Sequence, residues 1–247
     1  MNSKIEEPGF AVEKTWKRIL KIEYTIFFFS FCLSCSAPFP DLNTNLLFLA
    51  LLNSNGAQTT PTDPNLALKY LFVTTGTSNG LLGAGTVTGA DSLCSAEKNA
   101  NFSALPGTGA DYKALIVSNV AQIRRACNAT ANCTSSAENS NWVLLPNQDY
   151  YRGTVASPVK VFTTNSAGIV LFPIVSFLDS SAANQWWTGL ADDWTISVGD
   201  TCNNWMDGTG ASTGEFGAGA VTNVNTINTG GFSDPCNTPK KLVCVRQ

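Results

Sequence analysis

Six cysteines, Cys94, Cys127, Cys133, Cys202, Cys236 and Cys244, are the residues of this 247-residue chain with the most sharply defined chemistry, and no histidine is present to work with them. An even set of thiols beyond an export-type N-terminus reads as a disulfide framework rather than a metal or redox site. Six cysteines allow fifteen pairings, and spacing alone leaves all of them open. The missing histidine removes the commonest general base and the commonest metal ligand. Without it, or a free thiol, no ordinary nucleophilic triad can be assembled. Asp192 and Asp193 are the tempting pair for glycoside chemistry. Adjacent residues in a strand point to opposite faces, however, and in a loop such a pair is solvated. A hard cation would need several oxygen ligands, and Asp192, Asp193, Asp200 and Asp207 could supply them only by converging. The expectation is a non-enzymatic protein with no catalytic residue, no metal and no cofactor.

Recognition is the chemistry that remains. Trp194 follows the Asp192–Asp193 pair in an expected loop, where an exposed indole could anchor a partner; the alternative is an indole folded back on its own loop. Lys240, Lys241 and Arg246 form a basic group near the C-terminus. Nucleic acid is not expected, because counterion release needs many clustered cations. From Ser36 onward there are 10 Lys/Arg against 14 Asp/Glu, a net charge of −4, and only two basic doublets.

The N-terminal residues carry the parts of a secretory signal. Lys14, Lys17, Arg18 and Lys21 form a basic region, and Thr25 to Leu33 is an apolar stretch too short to span a bilayer. Leu33-Ser34-Cys35 resembles the relaxed lipobox of spirochaetal lipoproteins, which makes Cys35 the expected lipidation site and the lipid the expected membrane anchor. Residues 1–35 are accordingly read as a lipoprotein signal peptide, 36–65 as a tether and 66–247 as one folded domain. The tether includes an apolar run, Leu46 to Leu52, and a polar, Pro-containing linker.

Positioning these residues falls to short elements. Leu68 to Thr74 reads as a strand. A helix capped by Thr88 or Asp91 is expected to run to about Ala100, with Leu93 and Ala96 on its inner face. Tyr112 to Val117 reads as a second strand and Ala121 to Ala126 as a short helix. Short apolar pieces follow at Trp142–Leu145, Val159–Thr163, Ile169–Phe172 and Trp186–Leu190. From Asp207 to Pro235 the chain is rich in Gly, Thr, Asn and Ala, which reads as a long loop without structure of its own and a candidate binding surface. The expected class is α+β, with short mixed strands and one or two helices.

The order of several local motifs adds a resemblance. Gly89-Ala90-Asp91-Ser92-Leu93-Cys94 is followed by Tyr112-Lys113-Ala114-Leu115, Trp187-Thr188-Gly189-Leu190, Thr201-Cys202-Asn203-Asn204-Trp205 and Lys241-Leu242-Val243-Cys244-Val245. This series resembles endostatin-type, C-type-lectin-like domains and, more closely, the leptospiral endostatin-like surface lipoproteins, over roughly Leu66 to Gln247. The resemblance implies a C-type-lectin-like fold with Cys94 bonded to Cys244 and Cys202 to Cys236, leaving Cys127 and Cys133 for each other. It also implies that Trp187 and Trp205 pack the core, and Trp142 is assigned there with them.

For function, the resemblance implies adhesion at the surface of a bacterial outer membrane. The partners it suggests are host extracellular-matrix proteins, plasminogen or complement regulators such as factor H. The sugar-binding triplets of lectin-like domains, Glu-Pro-Asn or Gln-Pro-Asp and Trp-Asn-Asp, are absent from this chain. A glycan-binding module and a structural envelope lipoprotein without a host ligand are the alternatives.

Overall fold

A computed structural model describes residues 63–83, 86–120 and 122–247. Cys35, the signal segment and nearly all of the tether lie outside the described residues. The described residues belong to the unit Pro61–Gln247.

Apolar residues on both faces make the first strand an internal one: β1 (Lys69–Val73) is buried from Tyr70 onward. It lies between β8 (Val243–Arg246), antiparallel to it, and β3 (Asp149–Thr154), parallel to it. β2 (Tyr112–Ala114) joins the outer edge of β8, and β4 (Ser157–Thr163) forms a hairpin with β3, giving the order β2-β8-β1-β3-β4. A second sheet of order β5-β6-β7 is antiparallel, from β5 (Gln185–Trp187), β6 (Thr213–Ala218) and β7 (Ser233–Pro235). With α1 (Val87–Asn101) as the one long helix among the described residues, the class is α+β with mixed sheets.

The two faces of β1 feed two apolar clusters. Leu71 and Val73 join Val143, Val161, Trp186 and Trp194 on one side. Tyr70 and Phe72 join Ala90, Cys94, Trp187 and Trp205 on the other. Three disulfides clamp this arrangement. Cys94–Cys244 ties α1 to β8, Cys202–Cys236 joins the two ends of the segment containing β6, and Cys127–Cys133 closes a short loop. These are the three pairs that the resemblance implies.

Several expectations are corrected. The inner face of α1 is Val87, Ala90, Cys94 and Lys98, whereas Leu93 is only half buried and Ala96 is exposed. The helix begins after Thr86, not at Thr88 or Asp91. No helix spans the described part of 121–126. Arg124 there is drawn inward onto Asp91, and isolated bridges join Ser118 to Arg124 and Arg125 to Ser140 instead.

The segment Asp207–Pro235 is not an unstructured loop, because it contains β6, the central strand of the second sheet. Its glycines mark close approach rather than freedom. A Cβ on Gly214 would sit 2.7 Å from Cys202 Sγ and 2.8 Å from the Trp187 ring, and one on Gly217 would meet the Thr226 carbonyl.

Candidate functional site

Each of the three cations expected to form a basic patch is engaged within the molecule. Lys240 is 2% exposed. Its ammonium donates to Asp234 Oδ2 (2.6 Å) and Gln185 Oε1 (2.7 Å), and lies 3.7 Å from the Phe216 ring centre. Lys241 donates to the carbonyls of Thr74 and Thr75, both at 2.8 Å. Arg246, at the far end of β8, donates to the carbonyls of Leu66 and Leu68. The three point to different parts of the molecule.

Trp194 is not an exposed anchor. It is 2% exposed, its φ is +68°, and its indole turns into the core, where Nε1 donates to Val170 O at 2.9 Å. Phe172 stacks on it at 5.9 Å and Trp142 meets it edge-on at 6.2 Å. Asp193 stabilises the turn by accepting from the Thr195 amide and hydroxyl, and Asp192 is exposed. Asp200 and Asp207 likewise accept from nearby hydroxyls, of Ser197, Thr213, Thr209 and Ser212. Among the described residues, no three or more Cys, Asp or Glu side chains come together as a metal-binding group.

Two concavities include residues from the expected set. Asp193 and Arg125 line a shallow one of about 470 Å³ beside the Cys127–Cys133 loop. That loop's amides are already satisfied, since Glu138 accepts from the N–H groups of Asn128, Ala129 and Thr130. The hydrogen bonds from Thr130, then those from Asn128 and Ala129, pull its pKa down to about 2.

The larger concavity, of about 540 Å³, is a wedge between β1 and β3. The two strands pair only at Lys69 with Tyr150 and Tyr70 with Tyr151, where a bulge interrupts β3. Gly153, at φ +94°, then continues the strand in a conformation that side chains resist. Arg152 to Thr154 therefore diverge from Leu71 to Val73, and the space between them stays open. Phe102, stacked on Phe72 at 4.1 Å, borders it on the helix side. Leu178, which packs with Leu71 and Val73, borders it on the other.

Charge in the wedge comes from Arg152, Lys241 and Asp179. Asp179 is occupied by the Ser181 amide (2.7 Å) and the Asn184 side-chain amide (3.0 Å). Arg152 forms no ion pair among the described residues. Its guanidinium lies 4.8 Å from the Phe177 ring centre, one Nη donates to Ser176 Oγ at 3.3 Å, and its buried Nε has no partner.

Sequence reasoning missed Arg152 because it lies in β3, an element that was not foreseen. It also missed Glu215, a carboxylate only 1% exposed on β6. Burial pushes its pKa up to about 7, assisted by Asp200 and Asp234 and opposed by the Phe216 and Thr229 amides that it accepts from. A lone glutamate in a Gly-rich stretch carries no periodic signal that would have marked it.

Together these features define a disulfide-stapled α+β domain with an apolar, cation-bearing cleft at the edge of its first strand. The chain belongs to the family described as "Protein of unknown function (DUF1554)", whose model matches residues 75–222, from just after β1 to just after β6. No curated protein matches it.

Proposed function

We propose that this chain is a non-enzymatic binding protein of C-type-lectin-like, endostatin-like fold, displayed on a bacterial outer membrane by a lipid on Cys35. The observation that carries the binding reading is the wedge between β1 and β3, a pre-formed concavity on a stapled scaffold. Its lining offers one carboxylate, already hydrogen-bonded, and no nucleophile paired with a base. The fold reading is supported by the adjacency of the first and last strands and by the helix-to-last-strand disulfide. No helix among the described residues is long and apolar enough to cross a membrane, and the proposed anchor needs none.

Host extracellular-matrix proteins, plasminogen and complement regulators are the proposed partners, on the strength of the resemblance to leptospiral surface lipoproteins. The test is titration of the oxidised full-length chain against immobilised laminin, fibronectin, plasminogen and factor H, at low and at physiological salt. Saturable binding that is lost on reduction of the disulfides is expected. No binding to any of the four would overturn the host-protein reading.

A further inference from the structure

We propose that the wedge between β1 and β3 binds an extended peptide bearing a carboxylate, taken up as an added strand along the free edge of β1. The backbone supplies the first reason. Thr74 donates to Leu242 O at 2.9 Å, and Phe72 stands opposite Cys244 in the same ladder. In an antiparallel pair, hydrogen-bonded positions alternate. Phe72 and Thr74 therefore direct their N–H and C=O groups toward β8. Val73, between them, directs its own toward the opposite edge, where pairing with β3 has already stopped at Tyr70. Backbone groups of this kind are normally paired, and free ones at a strand edge are a template for another strand. Val73 offers one such N–H and C=O pair, because Thr75 beyond it already donates its N–H to Glu97 and accepts Lys241 at its C=O.

The second reason is charge. The wedge carries two cations against one carboxylate. The carboxylate is held by Ser181 and Asn184, whereas the guanidinium of Arg152 has no acidic partner among the described residues. A guanidinium is built to take a carboxylate through two parallel N–H bonds. Lys241 spends two of its three donors on Thr74 and Thr75 and so leaves one for the same ligand. The third reason is the apolar lining of Phe102 and Leu178, which suits the alternate side chains of a strand.

This inference rests on the binding-protein reading only in supposing that the chain has a ligand. It is independent of whether that ligand comes from a host. The experiment is selection of seven-residue peptides from a random display library on the oxidised full-length chain, with affinities of the enriched peptides measured by fluorescence anisotropy. Enrichment of Asp or Glu beside apolar residues is expected. Affinity should fall at least tenfold for Arg152→Gln, for Ser180→Glu, which adds a carboxylate at the exposed rim, and on N-methylation of the central peptide bonds. Circular dichroism of each variant separates these losses from unfolding. Enriched peptides that bind the folded Arg152→Gln and Ser180→Glu variants as tightly as the parent would overturn the proposal, as would no enrichment at all. A chain that binds a panel protein equally well with and without Arg152→Gln would retain the function proposed above and lose this site.

Discussion

Arg124 and Asp91 form a two-pronged ion pair inside the molecule, with Nη1 on Oδ1 and Nη2 on Oδ2, both at 2.8 Å. Arg124 is 2% exposed and also donates to the carbonyls of Ala114 and Asn141, while Asp91 accepts the Ala114 amide. One pair thus joins α1, β2 and two loops. Removing Arg124 leaves the partly buried Asp91 with Lys113 alone, 3.7 Å away, so the loss falls toward the low end of the roughly 3–5 kcal/mol that an uncompensated buried charge costs. Arg124→Met is expected to lower the urea midpoint accordingly at unchanged slope. Pairing it with Asp91→Leu should recover part of the loss. A single variant that unfolds at the parent midpoint would contradict the role given to the pair.

Glu215 makes stability depend on pH. Its pKa stands at about 7 in the folded chain against an ordinary 4.5, so the folded state holds its proton more tightly than the unfolded state. Stability from this group is fully present below pH 4.5 and declines as pH rises to about 7, by about 3 kcal/mol in all. Glu215→Gln should flatten that decline. Thermal melts of both proteins from pH 4 to 8 check it, and a parent and variant with parallel pH profiles would rule out the assignment.

The two strand glycines of β6 should differ in tolerance. At Gly217 an added methyl meets backbone, the Thr226 carbonyl, whereas at Gly214 it meets Cys202 Sγ and the Trp187 side chain. Overpacking of this kind costs about 1–3 kcal/mol. Gly217→Ala is expected to be the more damaging, because backbone yields less readily than side chains. Chemical denaturation of the pair decides the order.

The disulfides should rank by the length of chain they close. Their sequence separations are 150, 34 and 6 for Cys94–Cys244, Cys202–Cys236 and Cys127–Cys133. The chain-entropy relation gives about 5, 4 and 2 kcal/mol respectively. Paired Cys→Ser variants measured by denaturation should follow that order, and a Cys127/Cys133 variant that loses the most would contradict it.

The sequence reveals these elements unevenly, for physical reasons. β1 is legible because its residues are apolar and β-forming on both faces, and α1 because a helix-length run without Pro ends near Asn101, although its start is misplaced at Thr88 or Asp91, inside the helix. β3 is not, since Asp149-Tyr150-Tyr151-Arg152-Gly153-Thr154 mixes polar residues with a bulge and lacks clean alternation. β6 is disguised by Gly214 and Gly217, which serve neighbouring side chains and backbone rather than a turn. At the site, Lys241 was foreseen by type but not by role. Trp194 misleads because a positive φ reverses its direction, and sequence does not display that angle.

The central claim is that the free edge of β1 is the recognition surface, and amide hydrogen exchange along β1 tests it most directly. The complete oxidised chain would be measured alone and then saturated with its tightest binder from the peptide selection or the protein panel. Alone, Val73 should exchange at least tenfold faster than Phe72, which is paired with β8. On saturation Val73 should slow by at least tenfold while Phe72 stays unchanged. A Val73 amide already as protected as Phe72, or one that does not respond to the ligand, would contradict the account.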